Sequence, residues 1–172
     1  MLVSSSTKLR EVIPFKLLNV IDDKEFSFNK PKDITLIMFI CNHCPFVKHI
    51  LPKLTLFANK VDSIAISPND ENICPKDSPG NMKKVAKEYG FNFPYLYDQN
   101  QKIAFYFDVK CTPEFFIVKK DGNVYYHGRF DASLPGNSVA VTGDELINAF
   151  YNLKNNKPVE IMRPSMGCSI KF

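Results

Sequence analysis

Two cysteines separated by two residues, Cys41 and Cys44, are the residues of this chain best suited to chemistry. Cysteines at this spacing are close enough to form a disulfide, and the thiolate of one can attack a disulfide in another molecule. We therefore interpret them as a redox dithiol in which Cys41 attacks and Cys44 resolves the mixed disulfide. His43 lies between them, and in its protonated form it would add positive charge beside a thiolate.

The segments on either side of the two cysteines predict how they are held. An apolar run over residues 34–40 has the β-branched and aromatic content of a buried strand, and apolar residues then recur at helical spacing. The sequence therefore predicts a helix over residues 44–61, whose first turn has unpaired N–H groups. Because the partial positive charge of these groups favours an anion, we expect the pKa of Cys41 to fall below that of a free thiol.

Length, charge and cysteine content narrow the class of protein. A chain of 172 residues with a net charge of +4 has the size of one domain, and its lysines are scattered along the sequence. We expect no nucleic-acid partner, and no apolar stretch has the length of a membrane span. The N-terminus lacks the order of a signal peptide, which predicts a cytoplasmic location, where thiols stay mostly reduced. Five unevenly spaced cysteines argue against a structural disulfide framework.

Other elements follow from patterns along the chain. An N-terminal hairpin is expected over residues 15–28, and an apolar strand over residues 63–67 completes a parallel β-α-β unit around the dithiol. Turn and capping signals predict three more elements: a helix over 79–89, a hairpin around Asp121-Gly122, and a last helix that begins at the capping-box spacing of Thr142 and Glu145. Residues 1–12 are expected to be a loose N-terminus and residues 158–172 an irregular tail.

These segments together resemble a family. The motifs that carry the resemblance are Cys-Asn-His-Cys-Pro-Phe-Val-Lys-His from Cys41, Asp-Ser-Pro-Gly-Asn-Met from Asp77, Phe-Pro-Tyr-Leu-Tyr-Asp from Phe93, Cys-Thr-Pro-Glu-Phe-Phe from Cys111 and Gly-Arg-Phe-Asp from Gly128. They are similar to the thioredoxin-like redoxin family, which is related to the AhpC/TSA proteins. The resemblance implies a single α/β domain over residues 1–172 with the thioredoxin fold. That fold is a central mixed sheet flanked by helices in three α/β/α layers, here with an N-terminal β-hairpin and an insertion.

The resemblance also implies roles for individual residues. Cys41 takes the part of the attacking thiol and Cys44 that of the resolving thiol, and His43 tunes the pKa of the thiolate. Pro113 is expected to follow a cis peptide bond after Thr112, and both residues would face the dithiol and bind an extended substrate. The chemistry needs no cofactor and no metal. It implies protein or small-molecule disulfides as substrates and an upstream dithiol as the reductant.

The chain departs from the family pattern at three positions that bear on chemistry. Thioredoxins proper have a tryptophan where this chain has Ile40 and a buried aspartate where it has Thr35, which argues against their usual route of proton transfer. Peroxiredoxins place a threonine where this chain has Met38, which disfavours a standard peroxidase. A histidine before the second cysteine, here His43, resembles the disulfide isomerases and bacterial oxidases, whose dithiols are more oxidising.

Further cysteines and histidines leave alternatives open. Cys111, two residues before Pro113, and Cys168, in the tail, are candidate third thiols. A rival interpretation is a zinc site with four ligands, namely Cys41, Cys44, His43 and His49. No second Cys-x-x-Cys is present to support it. The sequence therefore predicts a thiol–disulfide oxidoreductase, and the alternatives are a thiol-dependent peroxidase, a metal-binding module on the same cysteines and a redox sensor.

Overall fold

The computed structural model of the protein describes residues 1–4 and 11–172. Its strands are Leu2–Val3 (β1), Phe15–Asn19 (β2), Lys24–Phe28 (β3), Thr35–Phe39 (β4), Ser63–Ser67 (β5), Tyr95–Tyr97 (β6), Cys111–Thr112 (β7), Glu114–Val118 (β8), Val124–Gly128 (β9) and Met166–Ser169 (β10). Its α-helices are Pro45–Ala58 (α1), Pro79–Tyr89 (α2), Lys102–Phe107 (α3) and Asp144–Lys154 (α4). A 3₁₀ turn at Pro75–Asp77 precedes α2. Within the described residues, no helix is both long and apolar enough to cross a membrane.

Seven of these strands form a mixed sheet in the order β3-β2-β6-β5-β4-β8-β9. Strand β4 runs parallel to β5, and β5 runs parallel to β6, whereas β8 lies antiparallel on the other side of β4. The predicted parallel β-α-β unit around the dithiol is therefore present as β4-α1-β5. This arrangement of a mixed sheet with flanking helices confirms the thioredoxin fold.

Apolar side chains alternate between two clusters, one on each face of the sheet, as the two-residue period of a strand requires. In β4, Leu36 and Met38 belong to the cluster under α1, α2 and α4, whereas Ile37 and Phe39 belong to the cluster under α3. The three-layer α/β/α arrangement therefore has unequal outer layers, because most of the helical surface packs on one face. Strand β4 is buried on both sides, and its end delivers the chain directly to the dithiol.

Helix α1 begins at Pro45, immediately after Cys44, and Cys44 is its N-cap residue. Proline suits the first position of a helix because the N–H that it lacks would have no helical partner there. The helix ends at Ala58, three residues earlier than the sequence indicates. Asn59 donates its N–H to the carbonyl of Thr55 at 2.9 Å and closes the last turn. The dithiol therefore lies at the start of α1, with Cys44 nearer to the helix than Cys41.

The N-terminus differs from the expectation that residues 1–12 are loose. Strand β1, Leu2–Val3, pairs antiparallel with the first two residues of β10. Ser4 is buried and donates its N–H to the carbonyl of Ser165 at 2.8 Å. Pairing with a distant strand orders this end, and a two-residue strand has no periodic pattern that would reveal it in the sequence. Residues 5–10 of the predicted segment lie outside the described residues.

The C-terminal tail also differs from the expectation that residues 158–172 are irregular. Strand β10 pairs with β1 on one side and with β7 on the other, which makes a second sheet of three short strands. In the β7–β10 pairing, Cys168 lies opposite Thr112. Ile170, next along the tail, is buried in the apolar cluster under α3. The tail is therefore a structural part of the region that surrounds the dithiol.

Helix α4 is capped by a residue from a preceding loop, and the predicted capping box is not formed. Oδ2 of Asp131 accepts hydrogen bonds from the N–H groups of Thr142 at 2.8 Å and Gly143 at 2.7 Å. The side chain of Glu145, which a capping box would turn back toward Thr142, instead accepts a hydrogen bond from Nη2 of Arg129 at 2.6 Å. Asp131 therefore supplies the negative charge that the start of α4 favours.

Replacing Asp131 by alanine tests this cap. We expect Asp131→Ala to lower the free energy of unfolding by about 2 kcal/mol, because the N–H groups of Thr142 and of the N-cap residue Gly143 lose a buried charged acceptor. The measurement is urea denaturation followed by circular dichroism. Asp121→Ala is the matched control, because Asp121 accepts a hydrogen bond from Asn123 N–H in an exposed turn. Equal losses of stability in the two variants would contradict the role of Asp131.

Candidate active site

The cysteines of the predicted dithiol meet at Thr112, the last residue of β7. The Sγ atom of Cys41 lies 3.0 Å from Oγ1 of Thr112, and the Sγ atom of Cys44 lies 3.3 Å from the carbonyl oxygen of Thr112. The peptide bond between Thr112 and Pro113 is cis, as the family resemblance implies. Because Cys168 pairs with Thr112 across the β7–β10 ladder, a third sulfur joins the same site.

The sulfur of Cys44 interacts with the sulfur atoms of two other cysteines. Its Sγ lies 2.9 Å from Sγ of Cys168, and it also shares a hydrogen bond with the thiol of Cys41. Cys41 and Cys44 are 2 % and 0 % exposed. Cys168 is partly exposed. Cys111 is buried, and its thiol is directed to the Ser165 carbonyl at 3.9 Å. Of the two candidate third thiols, the structure therefore brings Cys168 into contact with the dithiol.

Asp77, a buried aspartate that the sequence did not single out as a site residue, organises the loop between the two cysteines. Its Oδ1 accepts hydrogen bonds from the N–H groups of Asn42 at 2.7 Å and His43 at 3.2 Å. Its Oδ2 lies 2.5 Å from Nδ1 of His43 and accepts a hydrogen bond from Asn69 at 2.7 Å. The Asp77 side chain is 0 % exposed and that of His43 is 19 % exposed. Cys74 Sγ lies 3.2 Å from the same His43 nitrogen.

A weak signal for Asp77 is present in the sequence. The residue opens the motif Asp-Ser-Pro-Gly-Asn-Met, two positions before the proline that begins α2. An aspartate there is also what an ordinary helix start would show, and its contacts are with residues more than thirty positions earlier. Only the folded chain shows that this carboxylate faces the dithiol.

The sequence predicts that the pKa of Cys41 falls below that of a free thiol, and this prediction is wrong. The pKa of Cys41 is raised well above that of a free thiol because its S–H donates to Cys44, because it is buried and because the charge of Asp77 is near. The pKa of Cys44 is lowered to about 5, first by the hydrogen bond from Cys41 and also by those from Cys168 and the N–H of Val47, despite burial. The start of α1 therefore stabilises a thiolate on Cys44.

The N–H groups of the dithiol loop explain this outcome. Those of Asn42 and His43, the first two after Cys41, are directed to the Asp77 carboxylate. They are not free to stabilise a sulfur anion on Cys41. Cys44 is the N-cap residue, and the first available N–H of α1 reaches its sulfur.

A group of potential metal ligands is present beside the dithiol, but it differs from the zinc site considered from the sequence. Ligand atoms of Cys41, His43 and Asp77 lie within 4.8 Å of one another. Cys44 and His49 are not members of this group, so the set of four ligands is not brought together. Both oxygens of Asp77 already accept hydrogen bonds, which is the pattern of a structural carboxylate.

Two clefts border the dithiol. One lies beside Pro113, between Phe46 of α1 and Met166 of β10. The other has a volume of about 490 Å³, opens next to His43 between α1 and α2, and includes three lysines in its lining, Lys48, Lys76 and Lys84. The linings of these two clefts include Pro113 and His43, which neighbour the dithiol, but neither Cys41 nor Cys44.

The fold and the sulfur cluster define a thioredoxin-like redox protein. Residues 10–127 match the AhpC/TSA family, and the chain belongs to that family. A comparison with curated proteins found no significant match.

Solved structures similar to this chain agree with the fold. An uncharacterized conserved protein from Geobacillus kaustophilus is 44 % identical, with a TM-score of 0.95 over 99 % of this chain and 95 % of that chain. A hypothetical protein from Sinorhizobium meliloti 1021 is 34 % identical, with a TM-score of 0.94 over 99 % of this chain and 97 % of that chain. A secreted disulfide oxidoreductase of Mycobacterium tuberculosis is 20 % identical, with a TM-score of 0.60 over 80 % of this chain and 94 % of that chain, and it shares the fold.

The assignment of the thiolate to Cys44 is testable by titration. The ultraviolet absorbance of thiolate in the reduced protein is expected to rise with pH, with a midpoint at about 5, as Cys44 loses its proton. Cys44→Ser should remove this step, and Cys41→Ala should move it to higher pH because the hydrogen bond that lowers the pKa of Cys44 most is lost. Cys111→Ser is the control, since burial raises the pKa of that thiol. A step that survives Cys44→Ser and disappears in Cys41→Ala would place the thiolate on Cys41.

Proposed function

We propose that the protein is a thiol–disulfide oxidoreductase that exchanges its Cys41–Cys44 dithiol with the disulfides of protein or small-molecule substrates. The observation that carries the proposal is the contact of both sulfurs with Thr112, directly before the cis bond to Pro113. Membership of the AhpC/TSA family and the thioredoxin fold support the same class of chemistry. The exchange uses protein sulfur alone, and an upstream dithiol restores the reduced state.

The reaction has two exchange steps. The thiolate of Cys41 attacks one sulfur of the substrate disulfide, a mixed disulfide forms, and the other substrate sulfur leaves and takes up a proton. Cys44 then attacks the Cys41 sulfur, which releases the second substrate thiol and forms the Cys41–Cys44 disulfide. Two electrons pass from the protein to the substrate. Cys44 suits the second step because it is enclosed by Cys41, Thr112 and Cys168 and meets substrate sulfur only through Cys41.

Attack requires that the proton of Cys41 be moved first. In the reduced protein, Cys41 donates to the Cys44 thiolate, so transfer along that hydrogen bond gives a thiolate on Cys41 and a thiol on Cys44. The pair of His43 and Asp77 is a second acceptor for the proton of Cys41. A ring nitrogen of His43 and a carboxylate oxygen of Asp77 lie within 4.8 Å of Cys41 Sγ, a distance that one water molecule can bridge. A protonated His43 would also offset the charge of Asp77, which raises the pKa of Cys41.

A peroxidase of the peroxiredoxin type has less support from the site. Met38 is buried at the position where the family resemblance would require a threonine beside the attacking cysteine. The guanidinium of Arg129 is engaged by Glu145, with Nη2 2.6 Å from Oε1. Exchange with an organic disulfide needs neither a threonine nor an arginine at those positions. The cytoplasmic location stays a prediction, and it would keep the dithiol mostly reduced.

The proposal is tested by reduction of insulin disulfides with dithiothreitol as the electron source. We expect the wild-type protein to accelerate the reaction and Cys41→Ser to lose nearly all of the acceleration, because the attacking sulfur is gone. Cys111→Ser is the matched control, a buried thiol on the neighbouring strand whose partner is the Ser165 carbonyl. Equal activity of wild type and Cys41→Ser would remove the proposal. Thiol-dependent loss of hydrogen peroxide that requires Cys41 would instead favour the peroxidase.

The charge of Asp77 is expected to set the pH dependence of the reaction. Since a nearby carboxylate raises the pKa of Cys41, Asp77→Asn should move the rising limb of kcat/KM to lower pH. Asparagine keeps an oxygen that can accept from the N–H groups of Asn42 and His43, whereas the hydrogen bond from Asn69 to Oδ2 is lost. Asp70→Asn is the control, because Asp70 accepts hydrogen bonds from Asn72 in the exposed part of the same loop. A shift to higher pH in Asp77→Asn would show that the carboxylate acts mainly as a proton acceptor.

A further inference from the structure

Cys168 gains and loses no electrons in the exchange described above, although it contacts Cys44. Their Sγ atoms lie 2.9 Å apart, and Cys44 shares its other hydrogen bond with Cys41. In thiol–disulfide exchange, the attacked sulfur is bonded to the leaving sulfur and is approached by the incoming one. Cys44 is the sulfur of this cluster that interacts with both of the other two, Cys41 and Cys168. The arrangement is therefore suited to moving a disulfide from Cys41–Cys44 to Cys44–Cys168.

The position of Cys168 depends on the close approach of β10 to β7, which a glycine allows. A Cβ atom at Gly167 would lie 2.0 Å from the Thr112 carbonyl oxygen and 2.6 Å from its carbon. Any other residue at this position would have to push β10 away from Thr112. Strand β1 holds the opposite edge of β10, with Leu2 opposite Gly167. Both contacts keep the sulfur of Cys168 against that of Cys44.

The ionisation of Cys168 changes with the redox state of the dithiol. Burial, followed by the hydrogen bond and the negative charge of Cys44, raises the pKa of Cys168 to about 12. When Cys44 enters a disulfide, its charge and its role as acceptor are lost, so two of these causes disappear. The positive charge of Lys171, which lowers the pKa of Cys168, is still present. Cys168 is therefore a weak nucleophile beside the reduced dithiol and a better one beside the oxidised dithiol.

We infer that Cys168 is a third redox thiol that takes the disulfide over from the dithiol, an inference that rests on the proposed function. Cys168 loses its proton and attacks Cys44, the Cys44–Cys168 bond forms, the Cys41–Cys44 bond breaks, and Cys41 leaves as a thiolate that regains the proton. No net electrons are gained or lost, and no further reactant is required. The two oxidising equivalents move to a partly exposed sulfur, and the attacking thiol of Cys41 is restored.

This transfer determines which sulfur atom the upstream reductant attacks. Cys41 and Cys44 are buried, whereas Cys168 is partly exposed in β10, the middle strand of the second sheet. A dithiol reductant would therefore attack Cys168, which forms a mixed disulfide between the reductant and Cys168 and releases Cys44 as a thiol. The second thiol of the reductant would then attack the reductant's own sulfur in that mixed disulfide, which releases Cys168 as a thiol and leaves the reductant oxidised. Substrate and reductant would then act at different sulfurs of one cluster.

Disulfide mapping tests the inference, because trypsin places the two cysteines of the dithiol in one peptide and Cys168 in another. Residues 33–48 form one peptide that contains both cysteines of the dithiol, and residues 155–171 form another that contains Cys168. The full chain is equilibrated with mixtures of reduced and oxidised dithiothreitol, quenched with acid, alkylated and digested. A Cys41–Cys44 disulfide stays within one peptide, whereas a Cys44–Cys168 disulfide joins two. We expect the joined peptides, with Cys41 alkylated, to be the main oxidised form of the wild type.

Variants separate this transfer from a fortuitous contact. Cys168→Ser should give only the disulfide within residues 33–48, and its reduction by glutathione should be several-fold slower than that of the wild type. Cys111→Ser should leave both results unchanged. Gly167→Ala retains every thiol and should reduce the joined peptides by displacing β10. Cys41→Ser should still form the joined peptides, because the Cys44–Cys168 contact does not require Cys41.

The outcomes distinguish this inference from the function on which it rests. If only the disulfide within residues 33–48 forms in the wild type, while insulin is reduced, the third thiol is refuted and the oxidoreductase stands. If no disulfide forms and insulin is not reduced, both are refuted. If Cys168→Ser is too unstable to study, disulfide mapping of the wild type and of Cys41→Ser still tests the inference. Absence of the joined peptides from both proteins would refute the transfer.

Discussion

The close packing of Thr112 against sulfur is the interaction on which the rest of the site depends. Its hydroxyl contacts Cys41, its carbonyl oxygen lies 3.3 Å from Sγ of Cys44, and its strand neighbour in β10 is Cys168. These three cysteines come from the end of a core strand, the start of a helix and the C-terminal tail. Thr112 can meet all of them because β7 is short, is followed by a cis bond to Pro113, and faces a glycine in β10.

Charge is the second constraint, because a buried site of this size favours one sulfur anion over two. The start of α1 and three hydrogen bonds stabilise that anion on Cys44, whereas Asp77 opposes it on Cys41. Asp77 is itself stabilised by the N–H groups of Asn42 and His43. The loop between the cysteines therefore orders a carboxylate whose charge adds to the hydrogen bond with Cys44 and to burial in raising the pKa of Cys41.

Features with local signals could be predicted from the sequence. The apolar run before Cys41 and the helical spacing after Pro45 placed the dithiol between β4 and α1, and the resemblance around Pro113 placed the cis bond. Features that depend on distant partners could not be predicted in this way. Asp131 replaces the Thr142 capping box across a loop, and the strands at the two chain ends form only against each other and β7.

The candidate site also combines features that local sequence signals predict with features that depend on distant partners. The types and spacing of Cys41 and Cys44 predicted redox chemistry, but the partition of charge between them depends on Asp77, which reaches the loop only in the folded chain. Cys168 was a candidate third thiol in the sequence, and its contact with Cys44 required the pairing of β10 with β7.

The reduction potential of the dithiol tests the redox role of the cluster most directly. Equilibration with redox buffers, read out by alkylation of free thiols, should give a reversible two-electron transition within the range of known dithiols, about −270 to −120 mV. Cys44→Ser should abolish this transition, because Cys44 is common to both disulfides of the cluster. Cysteines that remain free thiols at every potential in that range would contradict a role in disulfide exchange.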